Sequence, residues 1–300
     1  MIRIGTCRAR GLTLVELMVA LAVGLGVSLM ASRLMLMANE AYAVGAERAA
    51  VDDGGRFALA LLARAVRQAA SFDPALPAAA PPPDPPADPP ARLAGLDAQA
   101  LPRTAPALDA PLPDAVNGSD VLAVRFPGAD DGSALSCAGF KTAAGEDGWS
   151  IFYVAKGARG EAELRCKYRG AGGWTSDAVV AGVDGFQVLY GVDTDTPADG
   201  VPNRYVNAAV LNAIDGARPA GTRGWWTRVA SVRIGLLLHG AHATRHDGPV
   251  RFDLLGPVYA RAGGADDPGS SLDEAALPAS LRRRERRLFT TTVALPSSAP

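Results

Sequence analysis

The sequence has no Gly-x-Ser-x-Gly, no His-Glu-x-x-His and no glycine loop of the kind that cradles phosphate. Nothing in its 300 residues nominates a nucleophile, a zinc-protease site or a nucleotide pocket, and the chain is not read as an enzyme. It lacks a charge excess as well: 30 basic residues face 31 acidic ones, a formal −1. A generic nucleic-acid binder carries a basic surplus. The densest basic run, Arg282-Arg283-Arg284-Glu285-Arg286-Arg287, contains no aromatic residue on which a base could stack. It reads as an exposed charged edge that meets an acidic neighbour, and nucleic acid is not an expected partner. After residue 70 few helical periods appear, which excludes a helical body for the larger part of the chain.

What the chain does have is one long apolar run. Residues 12–31 number twenty and hold a single charge, Glu16, with Arg3, Arg8 and Arg10 in front and Arg33 behind. Twenty helical residues rise about 30 Å, the hydrocarbon thickness of a bilayer. A secretory signal would place a small-residue cleavage site after its apolar region. Here Ser32-Arg33-Leu34-Met35 simply continues the helix, and the small residue that invites a cut, Gly11, stands before the run. Glu16 is the fifth residue after Gly11. A carboxylate at that depth is costly in lipid and calls for a partner.

Gly11-Leu12-Thr13-Leu14-Val15-Glu16-Leu17-Met18-Val19-Ala20-Leu21 resembles the class III leader junction of type IV prepilins and type II secretion pseudopilins. The resemblance implies that a prepilin peptidase cuts between Gly11 and Leu12 and that the new amine of Leu12 is methylated. It implies that Glu16 pairs with the N-terminal amine of a neighbouring subunit during assembly. Leu12 stands where most of that family has phenylalanine. The competing reading is an uncleaved signal anchor whose Glu16 snorkels to the near interface.

Removing the leader's three arginines takes the formal charge from −1 to −4. Arginines on the N-terminal side of the helix place residues beyond Arg33 outside the cytoplasm by the positive-inside rule. The expected location is the inner membrane, with a cytoplasmic N-terminus and a periplasmic head, and afterwards the pilus fibre. Cys7 would leave with the leader, so the mature chain retains Cys137 and Cys166. A bridge between them is expected in an oxidising compartment; two free buried thiols are the alternative.

Beyond the bilayer the helical pattern persists. Steps of three and four give Leu34, Met37, Ala41, Val44, Arg48, Val51, Gly55, Ala58, Leu62, Ala65 and Ala69 as one stripe, with Glu40, Glu47, Arg64 and Arg67 off it. Asp52-Asp53-Gly54-Gly55 interrupts the pattern and predicts a kink or melted turn, with Asp53 capping the second half. From Pro74 to Pro113, 13 of 40 residues are proline and no apolar period survives, as in an extended surface segment with little capacity for a core. Strand patterns follow at residues 121–126, 151–154, 163–168, 185–191, 229–238, 251–255 and 288–295. In the fifth of these, Val232, Ile234, Leu236 and Leu238 share one face. The chain thus divides into a leader (1–11), a membrane helix (12–33), an amphipathic helix (34–72), a proline- and alanine-rich loop or insertion (73–118) and a β-rich head (119–300). The fold class is α+β and pilin-like: a long N-terminal helix packed on a mainly antiparallel sheet domain.

Several later stretches together resemble the PilW-type minor pilins. They are Gly54-Gly55-Arg56-Phe57-Ala58-Leu59, the pair Cys137-Ala138-Gly139 and Leu164-Arg165-Cys166, Tyr190-Gly191-Val192-Asp193-Thr194-Asp195, Trp226 with Val229 and Val232-Arg233-Ile234, and Leu288-Phe289-Thr290-Thr291-Thr292-Val293-Ala294-Leu295. J-type pseudopilins of type II secretion share the plan. The resemblance implies a minor pilin of the priming or tip complex. Its partners would be other minor pilins, the major pilin, the prepilin peptidase, the inner-membrane assembly platform, a tip adhesin and, before assembly, membrane lipid.

A membrane-anchored periplasmic enzyme or metal protein is the reading from a different class, and it rests on two clusters. Asp193, Asp195 and Asp199 with Gly200 are spaced almost as in a calcium loop, but Thr196-Pro197-Ala198 intervenes and no bidentate glutamate follows. A polar hairpin loop is the first reading there and calcium the second; no other cofactor is expected. His239, His242 and His246 lie within eight residues, yet Gly240 and Gly248 disfavour the helix that would aim three rings at one metal, and only Asp247 stands by to complete a set. A solvent-exposed hairpin is predicted.

Overall fold

The structure is a computed structural model, and it describes Gly11 and residues 13–69, 91–219, 224–245, 248–262 and 266–295. The leader with Cys7, Arg3, Arg8 and Arg10, the residue Leu12, the proline-richest stretch 70–90, and His246 with Asp247 lie outside the described residues. The chain divides into two compact units, residues 1–47 and residues 48–300.

One helix, α1 (Leu14–Gln68), runs for 55 residues and belongs to both units. From Leu14 to Ala31 it is apolar all round apart from Glu16, and Leu14, Met18, Leu25 and Met30 are all more than half exposed. A helix greasy on every face suits lipid or other helices rather than the surface of a soluble domain. In the second unit the same three-and-four stripe turns inward: Val51, Gly55, Ala58, Leu62 and Ala65 are buried, followed by Ala69 just beyond the helix, while Arg64 and Arg67 stay outside.

The interruption expected at Asp52–Gly55 is absent, and the helix passes through it without a break. The reason is packing. A Cβ on Gly55 would come within 2.3 Å of the Phe289 ring, so glycine here lets an aromatic side chain lie against the helix backbone. The helical penalty of glycine, about 1 kcal/mol, is offset by that contact.

The rest of the second unit is built mainly from two antiparallel sheets. The first has five strands in chain order, β1 (Leu93–Leu96), β2 (Val121–Pro127), β3 (Asp147–Lys156), β4 (Ala162–Gly170) and β5 (Gly173–Ala181). The second contains β6 (Val183–Val192), β7 (Arg204–Val206), β8 (Val229–Ala243) and β11 (Arg284–Ala294), ordered β11-β8-β6-β7. A small pair, β9 (Arg251–Asp253) and β10 (Ser271–Asp273), completes the sheets. The largest core joins Leu62 and Val66 of α1 to Leu122 and Val124, Phe152 and Val154, Phe186 and Val188, and Ile234 and Leu236. The face predicted for β8 is buried. Leu237, on its other face, is covered by Leu254, Leu272 and Leu277 in a separate cluster, which explains why Leu236-Leu237-Leu238 has no polar member.

Three expectations are corrected. Residues 91–118 are not a featureless loop: they supply β1 and an antiparallel bridge between Ala100 and Leu112, because Leu93 packs into the main core and Leu101 into a smaller one. A ten-residue helix, α2 (Ala208–Ala217), and a short one, α3 (Pro257–Ala262), follow where no helical period was read. Strand β8 extends to Ala243, so His239 and His242 sit on a strand rather than in a hairpin turn, and His239 is buried.

Candidate assembly site

The junction begins at Gly11, which is exposed, and α1 starts three residues later. Thr13 is its N-cap. The Thr13 amide and hydroxyl both donate to Glu16 Oε2 at 2.9 Å, and the Glu16 amide donates back to Thr13 Oγ1 at 3.2 Å. This reciprocal pattern is a capping box, and Thr-Leu-Val-Glu carries its S/T-x-x-E signature. The sequence points to a partner for Glu16 in a neighbouring subunit; within its own chain Thr13, three residues away, also engages it. Within one chain Glu16 is engaged by its own helix end, where the helix dipole also favours negative charge. The helix that follows has an 18-residue window with mean hydropathy 2.2, none of it buried, long and apolar enough to cross a bilayer.

The head holds the second half of α1 with charged contacts as well as the core stripe. Arg48 pairs with Glu285 at 3.2 Å, and Asp52 pairs with Arg287. Glu285 and Arg287 come from the run predicted to be an exposed basic edge. That prediction holds for Arg287 and Arg283 but fails for Arg286, whose side chain is fully buried. Its guanidinium reaches Asp184 Oδ2 at 2.6 Å and Glu274 Oε1 at 2.7 Å, both carboxylates buried; Glu274 also takes Arg245 at 2.8 Å. Arg286 pairs in register with His239, whose Nδ1 lies 3.0 Å from Asp184 Oδ1 and whose Nε2 lies 3.3 Å from Glu161. His239 therefore belongs to a buried ion network across β6, β8 and β11 rather than to a histidine cluster.

Cys137 and Cys166 are bridged, fastening the loop before β3 to β4. Asp193, Asp195 and Asp199 do converge, each offering a carboxylate oxygen within 4.8 Å of the others. They are also used by their own loop. Asp193 accepts from the amides of Asp195 and Gly200, at 2.9 and 2.6 Å, which holds its carboxyl below the usual range. Asp195 accepts from Asn203, and Asp199 from the amide of Val201. This is the pattern of a polar hairpin loop that closes on itself.

A second acidic group was not read from the sequence. Asp97 caps α2, accepting from the amides of Ala208 at 3.0 Å and Ala209 at 2.7 Å. Asp120 accepts from Ala98 and Val188, and Asp267 from Tyr259 and Asn207. No described cation pairs with any of the three. Burial raises the Asp97 carboxyl to about 6, and burial together with the Asp97 charge pushes Asp120 well above its ordinary value. In sequence these residues are scattered over 171 positions, and only the fold brings them to one end of the sheets.

Residues 6–31 match the family model described as Prokaryotic N-terminal methylation motif, and residues 151–297 match the one described as Type IV Pilus-assembly protein W, PilW. The two matches together support a type IV minor pilin of the PilW family. The first match covers Gly11, Thr13 and Glu16; the second runs from β3 to just past β11 and so takes in Cys166, the ion network and the strand that packs on Gly55. No curated protein and no solved structure matches the chain. The methylation motif, the apolar N-terminal helix and the PilW match together support a membrane-anchored type IV pilus minor pilin. Residues 74–150, with most of the five-stranded sheet's first half, fall outside both matches.

Proposed function

We propose that this PilW-family chain is cut between Gly11 and Leu12, methylated on Leu12, and assembled through α1 into the priming or tip complex of a type IV pilus. Its head would face the periplasm before assembly. The observation that carries the reading is the junction itself: a glycine, a capping box built on Glu16, and an apolar helix exposed on every face.

The physical steps follow from those parts. While the chain is alone in the membrane, Thr13 satisfies the Glu16 carboxylate, so the charge is tolerated at the helix end. Apolar helices then bundle, and water is withdrawn from the carboxylate. An ammonium from the neighbouring Leu12 supplies a full positive charge where Thr13 supplies only dipoles, and a buried charge gains most from such a partner. One axial stagger between subunits places the two groups together, which sets the register of assembly.

Two substitutions test this. Glu16→Gln keeps an acceptor for Thr13 while removing the charge, and Glu16→Ala removes both. Both variants are expected to insert in the membrane and to keep the head folded, and both should be poorly incorporated into pili. Normal incorporation of Glu16→Gln would show that helix capping, and not charge pairing, is what Glu16 contributes.

A further inference from the structure

Between β1 and the turn at Val116–Gly118, residues 98–113 cross the face of the five-stranded sheet that points away from α1. Ala100 and Leu112 exchange two backbone hydrogen bonds of 2.8 Å, closing residues 101–111 into one loop. Leu101, Ala107 and Leu108 pack over Val121, Ala123, Ile151 and Tyr153, a cluster separate from the main core.

This cover is held under strain. Ala98, Ala107 and Ala110 have φ of 49°, 41° and 52°. In that left-handed region Cβ crowds the following carbonyl, and alanine rarely adopts it. Only two other non-glycine residues among those described do so, Asn117 and Arg283. Conformations of this kind persist only where the surroundings enforce them, and they gather at clamps and switches.

Beneath the loop lies a second unfavourable feature. The side chain of Lys167 is fully buried, with its ammonium 2.8 Å from the Ala107 carbonyl and 5.8 Å from the centre of the Trp174 ring. Among the described residues no carboxylate lies within ion-pair distance of it, and burial pulls its pKa down to about 8. Lifting the loop would relax three alanines and return this charge to water. What holds the rim is modest: Arg103 donates to Thr175 at 3.3 Å and approaches Asp177 at 3.9 Å, with both partners of that pair more than half exposed.

We propose that residues 98–113 form a strained strap that opens as a unit, independently of the strands beneath it, and uncovers the apolar sheet face of Val121, Ala123, Ile151 and Tyr153. The segment lies outside both family matches.

Hydrogen exchange of the full chain in detergent micelles tests the proposal. The amides of Ala100, Asp109 and Leu112 are all hydrogen-bonded, yet they should exchange at least ~100-fold faster than those of residues 151–154 in β3, with little dependence on added urea, as local opening requires. In a variant carrying Ala107→Gly and Ala110→Gly, glycine takes the positive φ without crowding, and strap exchange should slow several-fold while β3 is unchanged. Strap amides exchanging in the same class as β3, or strap exchange not slowed in the double variant, would overturn it.

Discussion

Replacing Gly55 by alanine sets two residue-scale effects against each other. Helix propensity favours alanine by about 1 kcal/mol, but a Cβ there would meet the Phe289 ring at 2.3 Å, and overpacking of a tight core contact costs about 1–3 kcal/mol. The clash should win, so thermal unfolding of the head moves down in Gly55→Ala. Gly45, on the same helix, has nothing within 4 Å of the place a Cβ would take, and Gly45→Ala should be neutral or mildly stabilising. Equal effects at the two sites would remove packing as the reason for Gly55. Charge at single residues makes a second prediction. Asp97 has a folded pKa of about 6, against about 3.9 for an unfolded aspartate. The folded state therefore holds the extra proton between those values, and this group's contribution is fully present below about pH 4 and is lost as pH rises through 6. The head should become more stable on going from pH 7 to pH 5, by about 1.3 kcal/mol from Asp97, with Asp120 acting in the same direction. Carboxyls held low, such as Asp193 and Asp253, oppose this only at lower pH. Calorimetric melting across that range, in wild type and Asp97→Asn, checks the sign; a wild-type melting temperature that falls between pH 7 and 5, or an unaltered slope in Asp97→Asn, would contradict it.

At the scale of elements, the ion network across β6, β8 and β11 is the least replaceable part of the head. Removing one member of a buried pair costs about 3–5 kcal/mol because the other charge is left stranded. Arg286→Met would leave Asp184 with His239 and Glu274 with Arg245 as their remaining partners, so denaturant titration should show a loss toward the lower end of that range; a loss under about 1 kcal/mol would mean those partners alone serve the two carboxylates. This network also marks where reading the sequence stopped. Periodicity found the stripe from Val51 to Ala69 and the apolar face of β8, since each buries a regular side of a regular element. It missed β1, a four-residue strand in a proline- and alanine-rich context, and α2, a ten-residue helix, both too short for a period to stand out. Gly54-Gly55 looked like a break because propensity is local, whereas the Phe289 ring that needs the space is 234 residues away. His239 and Arg286 looked like surface charges for the same reason: the acids that bury them come from other strands. At the assembly junction the residues named from the sequence, Gly11 and Glu16, stand at the helix start, and the addition is Thr13, whose place as the first member of a capping box is written in the spacing of Thr13 and Glu16.

At the scale of the whole molecule, the chain holds a helix long and apolar enough to cross a membrane and a β-rich head in which Cys137 and Cys166 are bridged. The central claim is that the chain is processed at Gly11 to give a subunit whose first residue can pair with a neighbour's Glu16. N-terminal mass spectrometry of the protein extracted from cells with an active prepilin peptidase tests that claim most directly. The expected result is a chain that begins at Leu12 and carries one additional methyl group on its amine. A chain that still begins upstream of Gly11 would contradict it.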